Sequence, residues 1–317
     1  MRLRQKTRGI SGRMLTSTAA ARFLGVSEAS VKRWADSGLL PAEKTAGGHR
    51  RFRPEDVFLM RKAKPSDHPP IQKRVAGNSS KSNGDTAARH PGKRARLSSK
   101  QKKALIQETF QFLTEGRTED LSSLVVNLTL NGLGVSAIAD QFLCPAMRRV
   151  GDLWYRGELS IAVEHLATRT AMLGVERLRA VNRNPDISAM PALCCSTEGD
   201  FHELPVLLAA ATLEEQGFEV ILLGASMPFF ALSEAVQKFK PRLICVAATI
   251  QLVNLEPAVR DYAQLYKLAQ RAGSAIVLGG AGFEGVIRSR LPAGLHAESF
   301  EQLEQFAEAI IQEVNDE

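Results

Sequence analysis

The hydrophobic period of this chain changes near residue 190, and that change constrains the fold more than any other feature. Short apolar runs at 192–195, 219–223, 243–248 and 275–278 alternate with helical stretches at about 203–216, 229–239, 256–271 and 300–313. Runs too short for helices, separated by amphipathic helices, are the pattern of successive βα units. They predict an open parallel sheet over 190–317.

Before that point the period is helical. Leu105, Ile106, Phe110 and Leu113 are followed by Leu121, Leu124, Val125 and Leu128, and two longer helices are expected at about 134–154 and 159–182. Gly132 and Gly134 separate the second from the third, and the turn RGEL separates the third from the fourth. Short connections predict an antiparallel four-helix bundle over 101–183.

Charge divides the chain differently. Residues 1–100 carry 23 Lys and Arg against 7 Asp and Glu, a balance of +16, while the rest carry 18 against 27, a balance of −9. A basic front of this size points to a polyanionic partner. The stretch 63–100 is rich in Pro, Gly, Ser and Lys/Arg and has few large apolar residues, so it reads as a flexible basic linker. No secretory signal and no membrane span is read, which suggests a cytoplasmic protein. Cys144, Cys194, Cys195 and Cys245 lack metal-ligand spacing and read as buried thiols of a reducing compartment, with a reactive Cys194–Cys195 pair as the alternative.

The folded part of the front, 14–62, reads as two short helices and a wing. Ala19, Ala20 and Phe23 line one face of the first helix, Gly25 ends it, and Ser27 is placed to cap the second. Val31 and Trp34 face inward while Lys32 and Arg33 face out. A Gly-Gly turn, the basic strand HRRFR and a helix begun by Pro54 follow. The run VSEASVKRWADSGLLP with GGHRRF resembles the MerR-type winged helix-turn-helix family. That resemblance implies operator DNA as partner, groove contacts from Ser30, Lys32 and Arg33, and wing contacts from His49, Arg50 and Arg51. The long dimerising helix of that family is replaced by the linker, so oligomerisation is expected further back.

In the bundle, Trp154 ends the third helix, and Glu164 and His165 open the fourth, all at one end. By composition they suit either a ligand with an apolar face and hydroxyls, or a core Trp beside a surface Glu and His. The spacing W-x9-E-H, in GDLWYRGELSIAVEHLATR, resembles CarH/LitR-type cobalamin photoreceptors. The resemblance implies that Trp154 caps the 5′-deoxyadenosyl group of adenosylcobalamin, that Glu164 contacts its ribose, and that His165 belongs to the same signature. Tyr155 stands where the well-studied light sensors have a second histidine.

In the sheet domain, His202 lies in a loop beyond a strand's carboxyl end, where open sheets bind ligands, with Asp200 placed to orient its ring. This resembles the D-x-H-x-x-G motif of cobalamin-binding domains, with Pro205 replacing the Gly. The resemblance implies that His202 is the lower ligand of cobalt and that the cofactor's nucleotide tail inserts beside the sheet. The family's S-x-L element reads Ala247-Ala-Thr249, with Thr249 offered as a partial substitute, and its Gly-Gly is intact as Gly279-Gly280.

The expected protein is a multidomain α and α/β chain: winged helix-turn-helix, four-helix bundle and flavodoxin-like Rossmann domain. It is expected to be a non-enzymatic, cobalamin-controlled DNA-binding repressor and light sensor, a tetramer in the dark. The alternatives are a regulator driven by a protein antagonist or redox chemistry with little cobalamin binding, and a corrinoid methyl-transfer protein.

Overall fold

The computed structural model describes residues 14–24, 26–45, 47–53, 56–57, 60, 97–182 and 190–316, without the side chains of Arg22, Phe23, Asn315 and Asp316. The expectations for the N-terminus, the Phe23 side chain, Gly25, Pro54 and the linker up to residue 96 lie outside the described residues. The chain forms two compact units.

The front unit comprises β1 (Leu15–Thr16), α1 (Ser17–Leu24), α2 (Glu28–Asp36), β2 (Glu43–Lys44) and β3 (Arg50–Phe52). Ser27 Oγ accepts from Ser30 N at 3.2 Å and caps α2 as expected. Leu15, Ala20, Val31, Leu40, Phe52 and Val57 form the core, with Trp34 packed at its edge rather than displayed for stacking. The wing is a three-stranded sheet in the order β1-β3-β2, so the residues before α1 contribute a strand that periodicity did not reveal.

The larger unit begins with α3 (Ser99–Thr114) and α4 (Thr118–Leu130). The expected helix at 134–154 is three segments: α5 (Val135–Ile138), a π turn (Ala139–Leu143) and α6 (Cys144–Tyr155). Pro145 explains the break, because it has no N–H to donate to the carbonyl four residues back, and the helix widens as it passes. α7 (Ile161–Asn182) buries Ala167, Thr170, Ala171, Gly174, Val175 and Leu178, a three- and four-residue stripe facing the core.

The sheet part holds β4 (Pro191–Thr197), α8 (Leu204–Gln216), β5 (Glu219–Met227), α9 (Phe229–Phe239), β6 (Leu243–Ala247), α10 (Leu255–Ala272), β7 (Ala275–Gly279), a 3-10 turn (Ala281–Phe283), α11 (Val286–Arg290), β8 (Leu295–Ala297) and α12 (Phe300–Asp316). All five strands are parallel, in the order β5-β4-β6-β7-β8. This is the flavodoxin-like order, in which the second strand lies outside the first and the crevice opens beside the first. The fifth strand, three residues long, escaped the sequence pattern. Alternate residues of β4 serve opposite faces: Leu193 and Cys195 pack with α9 and α10, and Ala192 and Cys194 with α8 and α12.

Bundle and sheet pack as one body. α8 is buried at every position from Val206 to Glu214, because it has the sheet on one side and α7 on the other. Arg179 at the end of α7 donates to both carboxylate oxygens of Glu214 at 2.9 and 2.8 Å. Ser136 Oγ donates to Glu304 at 2.6 Å, and Val135 N to Glu215 at 2.8 Å. These bonds fix the π-turn region of the bundle against α8 and α12.

Candidate functional site

The centre of the larger unit is the loop between β4 and α8. Asp200 is fully buried, and its backbone carbonyl accepts from Ser226 N at 3.0 Å and from the Ser196 hydroxyl. Ser226 is held in the left-handed region at φ 54°, where its amide meets both Asp200 O and Ser196 Oγ. The turn before Asp200 needs Gly199 at φ 79°, with Gly199 N donating to Ser226 Oγ. The sequence singled out neither Ser196 nor Ser226. Nothing local in the chain marks Ser226, which enters from the neighbouring strand.

The Asp200 carboxylate gathers four donors. His202 N lies 3.0 Å and His202 Nδ1 2.7 Å from Oδ1, while Thr249 N and the Thr249 hydroxyl also reach it. Burial alone would raise this carboxyl. The bonds from Thr249 N, His202 N, the imidazole and the hydroxyl outweigh it and hold the group below its ordinary range. Thr249 Oγ1 also lies 2.7 Å from His202 Nδ1. A carboxylate and a hydroxyl that gives its own proton to that carboxylate both accept from Nδ1. The proton therefore sits on Nδ1, and the Nε2 lone pair faces outward on a ring whose side chain is 62% exposed. Such a nitrogen can ligate a metal, and its acidic partner raises its donor strength. Among the described residues, no three His, Cys, Asp or Glu gather around a metal position. With one candidate protein ligand at this position, a metal held here would have to bring its other ligands with it.

Beside this loop lies a cavity of about 180 Å³. Pro205, Ala209, Ala247, Thr249, Gly279, Gly280 and Leu303 border it on the sheet side, and Asp140, Cys144 and Arg148 on the bundle side. Pro205 stands in the first turn of α8, where its missing N–H costs nothing. Gly280 has φ 108°, and a Cβ there would overlap the Ala248 carbonyl; a Cβ at Gly282 would overlap that of Ile250. Gly280 thus sets close backbone packing at the cavity wall, and Gly282 does the same just beyond it, while a Cβ at Gly279 would make only ordinary contact. An apolar cavity of order 150 Å³ holds a six-membered aromatic ring, so this one has room for a group of at least that size. The fit of a cobalamin rests on two observations: the outward Nε2, and the small-residue cavity beside it. Phe201, Ile250 and Val253 add exposed apolar surface on the neighbouring loops.

Trp154 is 46% exposed at the end of α6, and Tyr155 beside it is 87% exposed. Trp154 is therefore not a core residue. Glu164 accepts from Thr168 Oγ1 at 2.9 Å and lies 2.8 Å from His165 Nδ1, so the acid and imidazole form a pair in the first turn of α7. His165 Nδ1 also lies 3.0 Å from Ile161 O, which leaves Nε2 as the outward nitrogen there too.

The cysteines are free. Burial raises the Cys144 thiol to about 12 and pushes that of Cys195 higher still, while hydrogen bonding with Cys245 and burial raise that of Cys194. Cys194 and Cys195 point to opposite faces of the sheet. Their geometry disfavours the reactive-pair alternative.

In the front unit, Lys32, His49, Arg50 and Arg51 border one groove with Thr16, Ser17, Thr18 and Glu28. Ser30 and Arg33 are not among its lining. Ser30 Oγ is 3.0 Å from Ser27 Oγ within the cap, and Arg33 is exposed on α2. Lys32 is paired with Glu28 at 2.7 Å, and Arg50 with Asp36. The contribution of Thr16, Ser17 and Thr18 was not foreseen: Thr16 belongs to the unpredicted β1, and Ser17 and Thr18 open α1 beside it.

Comparison with known proteins agrees with this layout. A helix-turn-helix domain model matches residues 14–63, and two B12 binding domain models match 105–179 and 190–311. The chain is 30% identical over 176 residues to the HTH-type transcriptional repressor CarA of Myxococcus xanthus, covering 54% of this chain and 57% of CarA. It thus spans little more than half of that relative. It is 25% identical over 230 residues to the HTH-type transcriptional repressor CarH of the same organism, covering 71% of this chain and 75% of CarH. The fold resembles that of the Methanosarcina barkeri monomethylamine corrinoid protein, with a TM-score of 0.54 at 18% identity over 66% of this chain and 99% of that one. Among the described residues no helix is long and apolar enough to cross a membrane.

Proposed function

We propose that this chain, a B12-binding regulator of the CarH type with a helix-turn-helix front, is a transcriptional repressor whose hold on operator DNA is set by adenosylcobalamin and released by light. The observation that carries the cobalamin half is the outward Nε2 of His202, fixed by Asp200 and Thr249 through Nδ1. When bound, the cofactor supplies cobalt to be ligated and a cobalt–carbon bond that light breaks.

The chain's own residues then have assigned tasks. His202 would hold the cofactor's metal through Nε2, and Asp200 and Thr249 keep its ring turned. Gly279 and Gly280 border the space for the nucleotide tail. Trp154 would offer its exposed indole face to the adenosyl group, and Glu164, held with His165 and Thr168, a carboxylate to its hydroxyls. Exposure of Trp154 supports this role, since an indole left half in water gains by being covered. Arg179–Glu214 sets the last turn of α7 on the last turn of α8. In this reading the first turn of α7, with Glu164 and His165, faces the same side as the His202 loop.

Lys32, His49, Arg50 and Arg51 meet the phosphates of double-stranded DNA, with Arg33 and Ser30 on α2 toward the DNA's major groove. In the dark the protein is a tetramer, and its several DNA-binding units gain affinity by being tethered. Trp154 would be the residue through which a change in the bound cofactor reaches the bundle and the assembly. Tyr155, fully displayed beside Trp154, stands where the light sensors of this type carry a second histidine, so a bis-histidine state after illumination would have to use His165. The buried thiols disfavour the redox alternative. The fused DNA-binding front disfavours a methyl carrier.

The test is the visible spectrum of the full chain purified with adenosylcobalamin. A retained corrin spectrum that is lost in His202→Ala is the expected outcome. A colourless protein, with His202→Ala indistinguishable from it, overturns the reading.

A further inference from the structure

Arg148 and Arg149 are neighbours on α6 and are used differently. Arg149 donates to Gln107 at 2.6 Å and stacks over Phe110, 4.1 Å from the ring centroid. Arg148 instead borders the cavity beside the sheet. Asp140, Cys144 and Arg148 follow one another at four-residue intervals, so one stripe running from the π turn into α6 makes the bundle-side wall.

The other polar groups of this wall are committed, and both already feel the Arg148 charge. Asp140 accepts from Phe300 N at 3.1 Å and Glu301 N at 2.9 Å, and so caps α12. Burial raises the Cys144 thiol to about 12, so it is protonated near neutral pH. Glu298, on the opposite wall, is paired with Arg288 at 2.9 Å. Among the described lining residues Arg148 is the one cation. A guanidinium beside a mainly apolar cavity matches a ligand segment that joins a flat apolar ring to a single negative charge. The nucleotide tail of a complete cobalamin, an aromatic base linked through ribose to a phosphodiester, has that chemistry.

We propose that Arg148 binds the phosphodiester of the nucleotide tail and makes the helical bundle a reader of that tail. This rests on the cobalamin reading of His202. The bundle would then grip the cofactor at a second place, away from Trp154, and would favour complete cobalamins over tail-less corrinoids. Asp140 serves as a positioning residue, because its bonds to α12 hold the stripe against the sheet.

The test uses the full chain, titrated separately with aquacobalamin and diaquacobinamide and followed by visible absorbance. Wild type should prefer aquacobalamin. Loss of one charge-assisted bond in Arg148→Ala should weaken aquacobalamin binding roughly ten- to hundredfold while leaving diaquacobinamide binding unchanged. Arg148→Lys should recover part of the loss, and all variants should unfold at the wild-type temperature. Equal losses for both corrinoids, or no loss for either, overturn the assignment while leaving the His202 reading intact. Failure of wild type to bind either corrinoid overturns both.

Discussion

The Asp200 carboxylate lies 2.7 Å from Nδ1 of His202, and it is fully buried while the imidazole is largely exposed. The acid is thereby the fixed partner and the ring the displayed one. Thr249 completes the arrangement by bonding to both, which restores a hydroxyl where the S-x-L element has lost its Ser. Asp200→Asn should therefore weaken cobalamin binding about 10- to 100-fold, with Thr249→Ala a milder loss and Thr249→Ser close to wild type. Spectral titration of each variant measures this.

Close backbone packing at and beside the cavity makes a steric prediction. Gly280→Ala and Gly282→Ala place a Cβ against the backbone carbonyls of Ala248 and Ile250, which cannot yield as a side chain can. Gly280 also needs a left-handed φ. Each substitution should cost about 1–3 kcal/mol or more, read as a lower midpoint in denaturant unfolding. Gly285→Ala, whose Cβ would meet nothing within 4 Å, should cost less despite its positive φ of 67°.

Raised thiols predict chemical silence. Cys144, Cys194 and Cys195 should resist a maleimide reagent at pH 7 in the folded protein, and all four cysteines should react after unfolding. Fast native labelling of Cys194 or Cys195 would revive a redox role.

The basic groove predicts a salt effect. Lys32→Ala and Arg51→Ala should each weaken binding to all duplexes alike and reduce the slope of log affinity against log salt by about 1. Glu28→Gln removes the carboxylate that now holds Lys32 at 2.7 Å and should raise affinity. Fluorescence anisotropy over a salt series measures both.

How much of this could be read from the chain differs by element. The four long parallel strands and their helices were legible, because each buries a continuous apolar run or an amphipathic face. β8 was not, because three residues carry no period. The helix expected over 134–154 was misread as continuous, since Pro145 acts through a backbone bond that apolar spacing does not record. At the candidate site, Asp200 and His202 stand two residues apart and Gly279 and Gly280 are adjacent, so each pair reads as a local motif. Ser226, Asp140 and Arg148 were not legible, because only the packing of β5 and the bundle brings them there. Thr249 was foreseen as a substitute, and its bonds to both Asp200 and His202 give the reason.

The most direct test of the central claim is a gel shift of the full chain on operator DNA with adenosylcobalamin, run in the dark and after illumination. A retarded complex in the dark that is lost in the light, with His202→Ala failing to form it in either condition, is the predicted result. Equal retardation in dark and light contradicts the light-released repressor.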